Sequence, residues 1–282
     1  MKRVLITGSR GMLGNALWLA APERADVFLV DIEEMDIRDI DSIKRMFYTV
    51  RPDYVIHTAA YTMVDKAEDN REYALEINKI GTANLAVICR EFNSHIFYIS
   101  TDYVYNGDKD APYNEEDAVD PRSVYGLSKL EGEREIEKIL QDYTIIRTSW
   151  LYGPFGKHFV QTMLRLAETK SVISVVADQF GCPTYTIDLA RAIYMLIYLP
   201  VTRERLYLFS NYGYTNWASF AKEIFSVAGL TAEVEEIRSC DFPSRACRPQ
   251  NSRFDLSRFI RSTGFIPRRW EDALRDYFQN YI

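Results

Sequence analysis

Short apolar runs alternate with longer amphipathic stretches through the first half of the chain. The runs are rich in Val and Ile and lack regular polar positions, which is typical of strands buried on both faces of a parallel sheet. The predicted strands are residues 4–7, 27–31, 54–57, 96–100 and 143–147. The predicted helices between them are residues 14–19, 40–48, 67–92 and 125–141. This alternation implies right-handed crossovers and predicts a doubly wound α/β domain with a parallel sheet.

The alternation of predicted strands and helices becomes less regular after about residue 148, where Gly- and Pro-containing turns appear. A helix at about 186–199 and a strand at 206–210 still suit the sheet, whereas the tail mixes helix, strand and loop, with elements predicted at 217–228, 233–237 and 270–281. We therefore predict one domain from residues 1–147 plus about 186–211. A smaller α+β lobe at the C-terminal end comprises residues 148–185 plus 212–282. No linker separates them, so we expect tight packing.

Composition and charge exclude several classes of protein. No apolar run approaches the roughly 20 residues of a membrane-spanning helix, and the first apolar stretch is too short for a signal peptide. We therefore expect a soluble, cytoplasmic protein with no membrane partner. The 34 Lys and Arg against 40 Asp and Glu give a net charge of −6, which argues against a nucleic-acid partner. The four Cys have no C-x-x-C spacing and the three His no H-x-x-x-H spacing, so we expect no metal site and buried free thiols.

One segment departs from this acidic average. Residues 238–269 contain eight Arg and only two acidic residues. Such a cluster is either a solvated surface or a site for an anionic molecule such as a nucleotide diphosphate, and the pattern leaves both open.

A glycine-rich loop directly follows the first predicted strand and opens the first helix. Gly8, Gly11 and Gly14 have the spacing G-x-x-G-x-x-G, which permits a tight turn and close approach of a pyrophosphate to free N–H groups. This context predicts a Rossmann-like dinucleotide site. Asp31 ends the second strand and would repel a 2′-phosphate, whereas Arg10 offers the opposite charge. NADPH and NADH therefore both stay open as cofactors.

Tyr125 and Lys129 form a Y-x-x-x-K pair, whose members lie on one face of a helix. A nearby cation favours the phenolate, so we expect Lys129 to lower the pKa of Tyr125 toward neutrality. Thr101 follows the strand at 96–100, at the end where open α/β sheets bind ligands. Beside a dinucleotide site, these groups predict carbonyl–carbinol redox chemistry, with hydride from nicotinamide and a proton from Tyr125.

Longer segments resemble the extended short-chain dehydrogenase/reductase superfamily and, within it, the dTDP-4-dehydrorhamnose reductases. The likeness runs through almost the whole chain. Its motifs lie at residues 8–14, 59–68, 100–105, 125–129, 147–153, 159–164, 178–184 and 248–249. The resemblance implies reduction of the 4-keto group of dTDP-6-deoxy-L-lyxo-4-hexulose (dTDP-4-dehydro-L-rhamnose) to dTDP-L-rhamnose, with NADPH or NADH as cofactor.

The resemblance also implies roles by matched position. The catalytic residues would be Thr101, Tyr125 and Lys129. The cofactor would contact Gly8, Arg10, Gly11, Met12, Leu13, Gly14, Asp31, Asp36, Ile37, Ala59, Ala60, Tyr61, Tyr125 and Lys129. The sugar nucleotide would contact Val64, Thr101, Tyr103, Trp150, Arg245 and Arg248. The Trp150 indole would offer the hexulose an apolar face and one donor, and the two arginines would clamp the pyrophosphate.

Two departures from the family pattern stand out. Asn15 and Ala16 occupy the place where some members carry a Glu that bridges a dimer through magnesium, so we expect no such metal. A homodimer without the metal stays open. His158 replaces the usual Asn, and we expect it to be solvated or lightly packed.

Other functions share these residues. Another nucleotide-sugar 4-reductase or a 4-epimerase would use the same three catalytic groups, and the epimerase would retain NAD through its cycle. The fold also serves as the non-catalytic regulatory β-subunit of a methionine adenosyltransferase, so a regulatory role without turnover stays open.

Overall fold

A parallel sheet of six strands forms the centre of the molecule. The computed structural model describes residues 1–199 and 204–282. Within these ranges the strands are β1 (Lys2–Thr7), β2 (Ala25–Val30), β3 (Tyr54–His57), β4 (His95–Thr101), β5 (Tyr143–Thr148), β6 (Leu151–Tyr152), β7 (Val172–Val176), β8 (Phe180–Gly181), β9 (Thr184–Tyr185), β10 (Leu206–Phe209), β11 (Thr215–Asn216) and β12 (Glu233–Ile237). The central sheet has the order β2-β1-β3-β4-β5-β10 with parallel neighbours, which confirms the doubly wound α/β class.

Helices cover both faces of this sheet. In the described part of the chain they are α1 (Met12–Leu19), α2 (Ile40–Val50), α3 (Val64–Ala67), α4 (Arg71–Leu75), α5 (Thr82–Phe92), α6 (Val124–Ile139), α7 (Phe159–Ala167), α8 (Thr186–Ile197), α9 (Trp217–Ala228), α10 (Ser257–Thr263) and α11 (Trp270–Tyr281). A π-helical turn spans Glu76–Gly81, and three-ten turns span Asp102–Val104 and Ser239–Asp241. None of these described helices is long and apolar enough to cross a bilayer.

Alternate strand residues point to opposite helical layers. Val4 and Ile6 of β1 belong to the apolar core that contains α1 and α8, whereas Leu5 belongs to the core of α2 and α5. Because both faces are buried, the strands appear in the sequence as unbroken apolar runs.

The strand order places a crevice between β1 and β3. From β1 the chain moves to β2 on one side and then returns to β3 on the other. The loops that follow β1 and β3 therefore diverge at the carboxyl ends of these strands, where doubly wound sheets bind ligands. The glycine loop is the connection that leaves β1.

A smaller group of elements packs against the α8 side of the sheet. Here β7 pairs with β12, β8 with β11, and β6 with β9. Met163 of α7, Phe220 of α9 and Tyr277 of α11 share one continuous core with Ile6 of β1. The two parts therefore pack tightly, as expected. The domain boundaries given above stay a prediction, and residues 200–203 of the range 186–211 lie outside the described residues.

The single helix predicted over 67–92 is wrong. The chain instead forms α3, α4, the π-helical turn and α5. Within the π-helical turn, the Asn78 amide donates to Tyr61 O (3.1 Å) and to Ser128 Oγ (2.8 Å), and its oxygen accepts from Tyr61 N (2.8 Å). This buried network fastens the turn to α6, and such turns are frequent at functional sites.

Two further expectations need correction. His158 is buried rather than solvated: its Nδ1 accepts from Gln161 N at the start of α7, and burial lowers its pKa to about 4. Of the four cysteines, Cys89 and Cys182 are buried, whereas Cys240 and Cys247 are exposed.

Candidate active site

A cleft of about 720 Å³ opens at the carboxyl ends of β1, β3, β4 and β5. It brings together most of the predicted site residues, although they are spread over nearly 150 positions. The predicted residues that line it are Gly8, Arg10, Gly11, Met12, Leu13, Asp31, Asp36, Ile37, Ala59, Ala60, Val64, Thr101, Tyr103, Tyr125, Lys129 and Trp150.

The glycine loop is built for close backbone contact. Gly8 has a φ of +65°, and a Cβ there would lie 2.7 Å from the backbone of Ala59. Gly14 does not line the cleft, but a Cβ there would lie 2.4 Å from Gly8 O, so it permits α1 to start directly beneath the loop. No side chain caps α1 and no acid occupies its first turn. Its first N–H groups are therefore available to an anion in the cleft.

Acidic side chains surround Arg10 at one end of the cleft. The Asp31 carboxylate accepts from Arg10 N and Ile32 N, each at 2.9 Å. The Arg10 guanidinium contacts Glu33 and Glu34, each at 2.7 Å, in exposed pairs. Exposed pairs of this kind contribute little, so the guanidinium can exchange them for a stronger anion.

Thr101 and Tyr125 meet at the end of β4. Thr101 Oγ1 donates to Asp102 Oδ1 (3.0 Å), and the Thr101 side chain lies close enough to the Tyr125 phenol to influence its pKa. Burial raises the pKa of Tyr125 to about 12, the Thr101 contact lowers it, and the Asp102 charge raises it. The expectation that Lys129 brings this pKa toward neutrality is therefore wrong here, because burial dominates. The phenol is a neutral proton donor.

Lys129 lies one turn further along α6 and is almost fully buried. Its Nζ lies 4.0 Å from the centre of the Tyr98 ring. Burial lowers the pKa of Lys129 to about 7, and the charge of Glu133 raises it. Glu133 is held by Arg147 in a buried bidentate pair, with 2.6 Å from Nη2 and 3.0 Å from Nε.

Several polar atoms at the strand ends lack a partner. Ser100 Oγ on β4 and Thr148 Oγ1 on β5 are buried without a hydrogen bond, and both residues line the cleft. Buried polar atoms are nearly always satisfied, so these two hydroxyls indicate a site for polar groups of a bound molecule.

Aromatic side chains form the far wall. The Tyr103 ring lies 5.6 Å from the Tyr125 ring in an edge-on arrangement, and Trp150 stacks on Trp217 with ring centres 3.5 Å apart. Val64 completes this wall at the start of α3.

Three predicted site residues besides Gly14 do not line the cleft. Tyr61 is buried beneath it, where its backbone binds Asn78. Arg248 forms a two-point pair with Asp65 of α3, at 2.8 and 3.1 Å, and Arg245 pairs with Asp69. These pairs fasten the basic segment to α3, and hydrogen bonds from Arg248 hold the pKa of Asp65 well below its usual range.

Five of the eight Arg residues of the basic segment thus pair with carboxylates outside the segment. Its Arg residues paired in this way are Arg245, Arg248, Arg258, Arg268 and Arg269. A free anion clamp in this segment would require some of these pairs to open.

Sequence reasoning missed several residues that line the cleft. They are Thr7, Ile32, Met35, Arg38, Thr58, Thr62, Ile77, Ile99, Ser100, Asp102, Thr148, Ser149, Leu151 and Lys157. Asp102 could have been predicted from the sequence, because it directly follows Thr101 at a strand end. No sequence pattern predicts Lys157, because only the fold brings its loop close to Met12. A Cβ at the neighbouring Gly156 would lie 3.4 Å from Met12 Cβ.

The fold and this constellation of groups define an oxidoreductase of the short-chain dehydrogenase/reductase type. Within that class, the chain belongs to the family described as "RmlD substrate binding domain", whose model matches residues 1–282.

Relatives support this assignment. The spore coat polysaccharide biosynthesis protein SpsK of Bacillus subtilis is 40% identical over 99% of this chain and 98% of its own length. The dTDP-4-dehydrorhamnose reductase of Aggregatibacter actinomycetemcomitans is 38% identical over 98% of each chain. A crystal structure of dTDP-4-dehydrorhamnose reductase from Bacillus anthracis in complex with NADP shares 40% identity over 99% of each chain, with a TM-score of 0.95. The resemblance seen in the sequence is thereby confirmed.

Proposed function

We propose that this chain reduces the 4-keto group of dTDP-4-dehydro-L-rhamnose to give dTDP-L-rhamnose, with NADPH or NADH as the reductant. The observation that carries the proposal is the contact between Tyr125 and Thr101, one helical turn from buried Lys129, in the same cleft as the glycine loop. The substrate is supported by the names of the relatives, and the NADP form of the cofactor is supported by the NADP complex of the related crystal structure.

The residues present fit a dinucleotide. Gly8 and Gly14 let the loop pack tightly on residue 59 and on the start of α1, and α1 presents its N-terminus to the cleft without a side-chain cap. Gly8, Gly11, Met12 and Leu13 would hold the pyrophosphate. The adenosine end would be bound by Asp31, Asp36 and Ile37. The ribose–nicotinamide portion would be bound by residues 59–61. When bound, the reduced nicotinamide supplies the hydride.

Side chains of this protein supply the proton that the carbonyl oxygen takes up. The Tyr125 hydroxyl holds a proton at neutral pH, because burial and the Asp102 charge disfavour the phenolate. It delivers that proton to the carbonyl oxygen as this oxygen gains electrons, which is general acid catalysis. Thr101 lies beside Tyr125 and would bind the same carbonyl oxygen. The buried Lys129 cation stabilises the phenolate that remains.

The sugar nucleotide would lie between Tyr125 and the aromatic wall. Val64, Tyr103 and Trp150 would contact the hexulose. Arg245 and Arg248 would reach its pyrophosphate after release from Asp69 and Asp65. We further propose that the protein acts in the cytoplasm on this small molecule, without nucleic acid or membrane, and a homodimer is compatible with the chain.

The experiment is to follow reduced-nicotinamide absorbance after dTDP-4-dehydro-L-rhamnose, prepared in situ, is added to the enzyme with NADPH and then with NADH. Oxidation in a one-to-one ratio with product supports the reductase. A 4-epimerase would convert the sugar without net cofactor consumption. Dinucleotide binding without any turnover, together with a stoichiometric protein partner, would support the regulatory role instead.

A further inference from the structure

The Trp150 indole is held in a backbone conformation that bulky residues rarely adopt. Its φ is +48°, in the left-handed region. Hydrogen bonds secure the backbone on both sides: Ser149 Oγ donates to Cys182 O (2.7 Å), and Thr184 N donates to Trp150 O (3.2 Å). Such strain beside a ligand cleft points to a side chain whose direction matters for function.

Both faces of this indole are covered. The Trp217 ring lies parallel to it, with centres 3.5 Å apart and planes 9° apart. A Cβ at Gly181 would lie 2.5–2.7 Å from Cε2, Cζ2 and Nε1 of Trp150, which places Gly181 over the plane of the ring. No atom fits between rings 3.5 Å apart, so Gly181 covers the opposite face. Trp150 therefore meets the cleft with its edge, and the expectation of an open apolar face is wrong.

A one-way chain of hydrogen bonds fixes the position of Trp217. The Asp178 carboxylate can only accept, so Ser239 Oγ donates to it (2.6 Å). Ser239 Oγ then accepts from Gln179 Nε2 (2.9 Å), which turns Gln179 Oε1 toward Trp217 Nε1 (3.2 Å). Each proton direction follows from the previous one, so the orientation of the Trp217 ring is determined.

We propose that Trp217, Gly181 and Gln179 are positioning residues that clamp Trp150 edge-on against the hexulose. The edge of an indole carries partial positive charge, so it suits the oxygen atoms of a sugar better than its C–H faces. The clamp thereby sets how the 4-keto carbon is turned toward Tyr125. This role rests on the proposed function for its substrate, and it explains the segment at 178–181, to which no contact with substrate or cofactor is assigned.

The test compares Trp217→Leu, Trp217→Phe and Gln179→Met with wild type, and uses Trp18→Leu, an exposed Trp on α1, as the matched control. Two stacked indoles give an exciton couplet in the far-ultraviolet circular dichroism. We expect Trp217→Leu to abolish it and Trp18→Leu to keep it. We expect kcat/KM for the sugar nucleotide to fall about 10- to 100-fold in Trp217→Leu, with the Kd for NADPH unchanged.

Trp217→Phe keeps a ring on Trp150 and should restore most of the lost kcat/KM. Gln179→Met removes only the anchor of Trp217, so it should weaken the couplet and lower kcat/KM without unfolding the chain. A Trp217→Leu enzyme with wild-type kcat/KM would overturn the proposal, as would a parallel loss of NADPH affinity.

Failure of the proposed function is distinguishable from failure of the clamp. Titration of wild type with dTDP-L-rhamnose should perturb the couplet. If it does so in an enzyme without turnover, the clamp is supported and the reductase activity is contradicted. An unperturbed couplet in an active enzyme would remove the clamp alone.

Discussion

The ammonium of Lys129 lies 4.0 Å from the centre of the Tyr98 ring, deep under the cleft. The ring face offers partial compensation for lost hydration, and Glu133 offers more, but burial still lowers the pKa of Lys129 to about 7. A cation in such a place costs stability that an enzyme accepts for function.

That cost should appear as a pH-dependent stability. The unfolded chain holds the Lys proton up to a pH of about 10.4 and the folded chain only up to about 7, so the unfolded state binds more protons between these values. Wild-type stability therefore rises with pH across this window. We expect Lys129→Met to raise the Tm at pH 6 and to show a smaller gain at pH 9. Lys170→Met, at an exposed position, is the control; an equal gain at both pH values would contradict the assigned burial.

Glu133 and Arg147 form a buried ion pair behind Lys129. Removal of one partner leaves an uncompensated buried charge, so Glu133→Gln should lower the free energy of unfolding by about 3–5 kcal/mol. Glu133→Leu combined with Arg147→Met should recover much of this loss. Urea unfolding of wild type and of these two variants measures both quantities, and a loss below about 1 kcal/mol in Glu133→Gln would show that the pair is solvated.

Arg10 should discriminate between the two cofactors. Its guanidinium is exposed and held only by Glu33 and Glu34, so it is free to bind a 2′-phosphate. Loss of a charge-assisted hydrogen bond costs about 1.5–3 kcal/mol, so Arg10→Gln should raise the Kd for NADPH about 10- to 100-fold. The Kd for NADH should hardly change. An equal effect on both cofactors in fluorescence titrations would remove this role.

Lys157 should contribute equally to the affinity for NADPH and for NADH. It lines the cleft in the loop that approaches Met12 at the N-terminus of α1. A cation there would face the pyrophosphate of a bound dinucleotide, which NADPH and NADH share, so Lys157→Gln should raise both Kd values by the same factor. It should also flatten their dependence on salt. Lys170→Gln serves as the control, and a loss confined to NADPH would place Lys157 elsewhere.

Much of the fold is predictable because its causes are local. The strands at 54–57 and 233–237 and the helices at 217–228 and 270–281 match the structure at both ends. The first of these is a short apolar run and the helices have a regular apolar stripe. The helix predicted over 67–92 is interrupted at residues 68–70 and widens into a π-helical turn at 76–81. At that turn Asn78 bonds with Ser128, which is 50 positions away and therefore outside any local pattern.

The site likewise has a part that local sequence patterns predict and a part that depends on long-range contacts. Tyr125 and Lys129 are four residues apart on one helix, and Thr101 ends a strand, so their meeting follows from fold class. The pairing of Arg248 with Asp65 spans 183 positions and depends on how the basic segment docks on α3. The stacking of Trp150 on Trp217 likewise joins separate elements, so no local pattern predicts it. The pKa of Tyr125 escaped prediction because burial outweighs the neighbouring cation.

The central claim is that Tyr125 delivers the proton to the carbonyl oxygen. Its most direct test compares the rate of NADPH oxidation, driven by dTDP-4-dehydro-L-rhamnose, between wild type and Tyr125→Phe at saturating cofactor. We predict a fall in turnover of about 10²- to 10⁴-fold with a nearly unchanged Kd for NADPH. Wild-type turnover in the Phe variant would contradict the claim and remove Tyr125 from the mechanism.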